Sequence, residues 1–80
     1  MTVTVLLFAS YADTLGASAL DLDVDVGATV EDVLGRIRRM PGADRLPATP
    51  LLAVNERYAA LDRVLEAGDE VAVIPPVAGG

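Results

Sequence analysis

The 80 residues contain no cysteine, histidine, tryptophan or lysine, and each gap closes off a class of chemistry. Without cysteine there is no disulfide framework, thiol nucleophile or iron–sulfur ligand set. Without histidine the usual general base and metal ligand are missing too, so most enzyme templates fail and no metal site is expected. All six cations are arginine, which leaves no side-chain amine to accept an acyl group from a conjugating enzyme. A phosphate-binding P-loop and a GxGxxG turn are also lacking, so neither a nucleotide site nor a resident cofactor is expected. The apolar run Val5-Leu6-Leu7-Phe8-Ala9 is far shorter than a membrane span and has no basic flank or cleavage-site pattern. A soluble cytoplasmic protein is the expectation.

What remains is a small acidic domain. A chain of this size buries only about 60% of the surface its unfolded form exposes. Its 52% of hydrophobic residues exceeds what such a core needs, which predicts an exposed apolar patch and a partner protein to cover it. Six arginines against twelve acidic residues give a net charge of −6. That charge repels nucleic acid phosphates and anionic membranes and suits a basic partner surface.

Residues 2–8 alternate as a strand, with Val3, Val5 and Leu7 on the expected core face and Leu6 and Phe8 on the other. Ser10, Asp13 and Gly16 predict a short helix with Ser10 as its cap and a left-handed end. Residues 20–26 alternate Leu or Val with three aspartates, predicting a strand with its aliphatic side chains inward and its acids in water. Those acids are spread along a ribbon with no loop to wrap a Ca²⁺ ion. Thr29 and Asp32 form a capping box that starts a helix at Val30. Val30, Val33, Leu34, Ile37 and Met40 share its apolar face, and Pro41-Gly42 stops it. Gly35 costs about 1 kcal/mol relative to alanine in that helix unless close packing on the sheet requires it. Three prolines between residues 41 and 50 predict an irregular, mobile surface loop. A strand over 51–54, a tight turn at Asn55-Glu56, its return over 57–59, a loop or single turn over 61–65 and a last strand over 70–74 complete the pattern. Pro75-Pro76 ends it because proline cannot donate to a ladder.

This order predicts an α+β fold in which one main helix crosses a mixed sheet, with the first and last strands parallel at its centre. That is a β-grasp domain over 1–74, followed by an extended, flexible tail over 75–80. If Val71 and Val73 face the core, Ile74 points to the same outer face as Leu6 and Phe8, and with Tyr58 they form a candidate partner surface. The tail Pro75-Pro76-Val77-Ala78-Gly79-Gly80 carries no charge and, at about 3.3 Å per residue, reaches roughly 20 Å. Its last three residues present so little side chain that a partner can close around bare backbone. The reacting group is then the Gly80 carboxylate. A carboxylate is a poor acyl donor until activated, most economically as an adenylate made by a separate enzyme from ATP.

Ala53-Val54-Asn55, the stretch from Leu65 through Gly68-Asp69 to Ala72, and above all Pro75-Pro76-Val77-Ala78-Gly79-Gly80 resemble the small subunit of molybdopterin synthase, a MoaD-type sulfur carrier. Phe8-Ala9 and Gly16 fall where that family ends its first strand and makes the following turn. The resemblance implies a ubiquitin-like fold whose Gly80 is adenylated by a MoeB-type enzyme and converted to a thiocarboxylate by a sulfur donor system. It further implies a heterotetramer with MoaE-type large subunits, which hold the catalytic lysine. In them sulfur passes to cyclic pyranopterin monophosphate to build the dithiolene of the molybdenum cofactor. Family partner contacts fall on Phe8, Tyr58 and Ile74, and tail insertion on Pro75 through Gly79. Two departures bear on partner affinity: Ala12-Asp13 where the family often has Arg-Glu, and Val73-Ile74 where it often has aromatics. Carriers of cysteine, thiazole or tRNA sulfur share the fold and the Gly-Gly end, and a protein modifier or pure binding module remains an alternative.

Overall fold

The computed structural model describes residues 1–46 and 50–76, and its elements alternate around one mixed sheet. In chain order they are β1 (Thr2–Leu7), α1 (Ser10–Leu15), β2 (Ala19–Asp23), α2 (Val30–Arg38), a 3₁₀ turn (Ala43–Arg45), β3 (Leu51–Val54), β4 (Arg57–Tyr58) and β5 (Glu70–Ile74). The sheet order is β2-β1-β5-β3-β4. β1 and β5 pair in parallel, Val5 opposite Val71 and Leu7 opposite Val73, while the other pairs are antiparallel. This is the ubiquitin-like β-grasp arrangement expected from the order of elements.

Alternation decides what each face buries. Val3, Val5 and Leu7 of β1, Leu52 and Val54 of β3, and Val71 and Val73 of β5 point inward and are buried. Against them α2 lays Val30, Val33, Leu34 and Ile37, all buried and all at helical spacing. Each such side chain contributes about 1.5–3 kcal/mol of burial. The start of α2 is fixed by reciprocal bonds: the Asp32 N–H donates to the Thr29 hydroxyl at 3.3 Å, and the Thr29 N–H donates to the Asp32 carboxylate at 2.9 Å. Met40 is half-buried at the edge of the same core.

Several expectations need correction. The cap of α1 is Ala9, not Ser10, and makes no side-chain bond. Ala9 has φ 49° and ψ −121° at the corner of a II′-like turn. That turn is closed by the Tyr11 N–H donating to the Phe8 carbonyl at 3.0 Å, which does the work of a cap. The left-handed end at Gly16 is as expected, with φ 77°. β2 spans 19–23, not 20–26. Its ladder with β1 ends at Thr2–Asp23, after which Met1 and Val24 exchange two bonds and nothing stands opposite Asp25 and Val26. Val26 is therefore 88% exposed, against the expected inward placement. Leu20 and Leu22 are half-buried, and Asp21 and Asp23 face water while accepting from the hydroxyls of Thr4 and Thr2 at 3.0 and 2.9 Å. β1 and β4 each end one residue early, at Leu7 and Tyr58.

Residues 41–50 are not wholly irregular. Gly42 turns left-handed (φ 87°), and a Cβ there would sit 3.4 Å from the Thr14 carbonyl. The turn folds Ala43 back to be buried beside α1 and α2. Residues 47–49 lie outside the described residues. Tyr11 is a core member that alternation alone did not reveal; burial raises its phenol pKa, against the charge of Arg38.

A polar clasp ties β3, β4 and β5 together at the Glu70 end of β5. Asn55 and Glu56 both have positive φ, 49° and 72°, which makes the β3–β4 connection a type I′ hairpin turn. The Asn55 carboxamide donates to Asp69 at 3.0 Å and accepts from the Glu70 N–H at 3.0 Å. The Glu66 N–H donates to the other Asp69 oxygen at 2.8 Å. The Glu66 bond first, then that from Asn55, with the charge of Arg63 adding to both, hold the Asp69 carboxyl below its ordinary value despite its burial.

Two predictions follow from these placements. A Cβ on Gly35 would meet no atom within 4 Å, so close packing on the sheet is not its reason for being there. Gly35→Ala should raise stability by about 1 kcal/mol in urea denaturation, and a loss would show that the helix needs glycine. Because the folded Asp69 carboxyl lies below the unfolded one, its contribution is whole above about pH 3.9 and disappears as pH falls through the folded value. Asp69→Ala should therefore cost roughly 1–2 kcal/mol at neutral pH, and the gap from wild type should close in acid. A gap independent of pH would sink this account of the clasp.

Candidate docking site at the tail root

The sheet face away from α2 is open. Strand register sets one row across it: Leu6 beside Ala72, Ala72 beside Ala53, and Ala53 beside Tyr58. Two alanines in the middle and larger side chains at the ends make a dish. A depression of about 310 Å³ results, lined by Leu6, Phe8, Ala53, Glu56, Tyr58, Glu70, Ala72 and Ile74. Phe8 is 45% and Tyr58 76% exposed, while Ile74 is half-buried. The three residues named from the sequence as a partner surface are thus brought to one concavity. Its alanine floor was not foreseen, although Ala72 follows from Val71 and Val73 pointing inward. Leu51, opposite Ile74 and 38% exposed, extends the apolar area along β3.

Parallel pairing fixes where the tail leaves this face. Leu7 lies opposite Val73, and the Phe8 N–H donates to the Val73 carbonyl at 3.2 Å. Chain beyond Ile74 therefore departs beside Phe8, at the rim of the dish. Pro75 is half-buried and Pro76 exposed, and neither belongs to a strand. Val77, Ala78, Gly79 and Gly80, on which the expectations of a flexible tail, tail insertion and a reacting carboxylate fall, lie outside the described residues.

Chemically, the dish offers apolar contact and two carboxylates, from Glu56 and Glu70, and no nucleophile–base pair. Among the described residues no three acidic side chains stand together as a metal site, and no helix is long and apolar enough to cross a membrane. The arrangement suits apolar contact with a protein surface.

Comparison with known proteins agrees with this geometry. The family model described as "ThiS family" matches residues 5–80. A molybdopterin synthase sulfur carrier subunit of Chlamydomonas reinhardtii is 35% identical over 83 residues, covering 100% of both chains. The crystal structure of small archaeal modifier protein 1 from Haloferax volcanii superposes with a TM-score of 0.85 at 32% identity, over 95% of this chain and 98% of that one. A complex of subunits 1 and 2 of the molybdopterin-converting factor of Helicobacter pylori contains the same fold, with a TM-score of 0.74 at 20% identity over 100% of both chains. A chain whose residues 5–80 match that family model, and whose first and last strands pair in parallel with one sheet face left open, belongs to the ThiS family of sulfur carriers.

Proposed function

We propose that the chain is the sulfur-carrying small subunit of a molybdopterin synthase, with Gly80 as the carrier group and the dish as the seat of its large subunit. The observation that carries this reading is the coincidence of the open apolar dish with the root of a Gly-Gly tail, both set by one parallel strand pair. In the first step a Gly80 carboxylate oxygen attacks the α-phosphate of ATP on a MoeB-type enzyme, and pyrophosphate leaves. Sulfide-level sulfur from the donor system, as hydrosulfide, then attacks the acyl carbon; the C–S bond forms, the C–O bond to AMP breaks, the proton passes to solvent, and a thiocarboxylate remains. The dish next docks on a MoaE-type subunit in a heterotetramer, and the narrow segment Val77-Ala78-Gly79 threads its terminus to the pterin. Phe8, Tyr58 and Ile74 anchor the dock, and Pro75 and Pro76 keep the tail from pairing back onto the sheet.

The name of the Chlamydomonas relative supports the pterin destination. A second reading, as a protein modifier, is favoured by a 37% identical relative named small archaeal modifier protein 1. Product analysis separates them: a carrier supplied with its activating enzyme, ATP and a sulfur donor gains about 16 Da when sulfur replaces one oxygen, whereas a modifier appears joined to target lysines.

Deleting Gly80, or adding one residue after it, should abolish the gain and all sulfur transfer while leaving urea unfolding unchanged. Full activity in either variant would refute the mechanism. Phe8→Asp should weaken large-subunit binding tenfold or more, about 1.4 kcal/mol, by titration calorimetry. Because Phe8 is 45% exposed the fold should survive, and unchanged affinity would count against the dish as the dock.

A further inference from the structure

An activated acyl group at the end of a roughly 20 Å tail is a hazard to its own carrier. The domain's radius of gyration is 11.8 Å, so much of its own surface, and that of any neighbouring copy, lies within reach. The six cations Arg36, Arg38, Arg39, Arg45, Arg57 and Arg63 are all exposed, at positions of the kind that lysine fills as commonly. Arg36 gives one N–H to the Asp23 carbonyl at 2.9 Å, a bond an ammonium makes equally well. At Arg36, then, guanidinium geometry does not account for the exclusion of lysine.

Of the other nucleophiles the Tyr58 phenol is 76% exposed, but an aryl ester formed there would remain activated and return to water, and the rest are withdrawn. Tyr11 is buried and its phenol is held protonated at neutral pH. The hydroxyls of Thr2 and Thr4 donate to the carboxylates of Asp23 and Asp21, which are weak bases, and the sequence has no histidine, cysteine or lysine to take a hydroxyl proton. The Met1 ammonium donates to the Val24 carbonyl at 2.8 Å, at the end of β1 away from Ile74.

We propose that this chain does not capture its own activated terminus as an amide and so is never joined by amide bonds into chains of itself. The inference rests on the reading of Gly80 as an activated carboxylate. The excluded step is attack of an amine nitrogen on the Gly80 carbonyl carbon. In it a C–N bond forms, the C–O bond to AMP breaks, and the amine proton passes to solvent. Arginine keeps the surface charge without offering that nitrogen, because its guanidinium stays protonated.

The test prepares the chain with Gly80 as a C-terminal thioester, beside the charge-conserving variants Arg36→Lys and Arg57→Lys, and follows intact mass at mildly alkaline pH. Wild type should return only the hydrolysed chain. Each lysine variant should accumulate amide products, one water lighter than the chain or than two chains, roughly tenfold or more above wild type. Wild type joining as fast as the variants, or both variants staying as inert as wild type, would overturn the proposal. A parallel incubation with ATP and the activating enzyme reads pyrophosphate release. Its absence would remove the adenylation reading, while the thioester arm still decides whether the chain resists its own acyl group.

Discussion

Parallel pairing of β1 with β5 at the centre of the sheet is the constraint on which the rest depends. A parallel pair needs a crossover, and here β2, α2, β3 and β4 all lie between the two strands in sequence. One helix covers one face of the sheet and leaves the other without a layer. The same pairing places the end of β5 level with Phe8. An open face and the departure point of the tail are therefore not two adaptations but two consequences of one topology.

The open face costs the fold little because its middle is alanine. Ala53 and Ala72 present little side chain, and Leu6, Phe8 and Ile74 line the depression around them, so a concavity forms without a continuous sheet of large side chains in water. Buried stabilisation comes instead from the aliphatic row on the other face and from Tyr11. The proposed docking and the folding thus draw on opposite sides of the same strands, which is why a charge at Phe8 and a cavity at Val73 are different kinds of damage.

Much of this was legible in the sequence, and the reasons are specific. Thr29 and Asp32 announce the start of α2 because a capping box is a local bond pattern that tertiary structure did not need to override. Strict alternation placed Val3, Val5, Val71 and Val73 inward, and with them Phe8 and Ile74 outward. The misses share a cause: they depend on a distant partner. Asp25 and Val26 alternate as well as the rest of β2 but have no described strand opposite, Ser10 yields its cap to a turn closed by Phe8, and Ala43 is buried where α1 and α2 converge on it. Glycine at position 35 has no local explanation in packing. The end of the tail, where the reactive group is assigned, could be argued only from composition, from what Gly79 and Gly80 leave out.

Two residues bordering the dish carry backbone conformations that L side chains avoid. Ala9 follows Phe8 with φ 49° and ψ −121°, and Glu56 lines the opposite end with φ 72°. Each conformation costs on the order of 1 kcal/mol or more and persists only where the surroundings over-determine it. At Ala9 they do so through the bonds of Phe8 to Val73 and Tyr11; at Glu56, through the clasp of Asn55 with Asp69 and Glu70. Strain at these points holds the rim of the dish rather than its floor. A rigid rim fixes the direction in which Pro75 leaves the sheet beside Phe8. The stiffness has to come from the strands that end at the root of the tail.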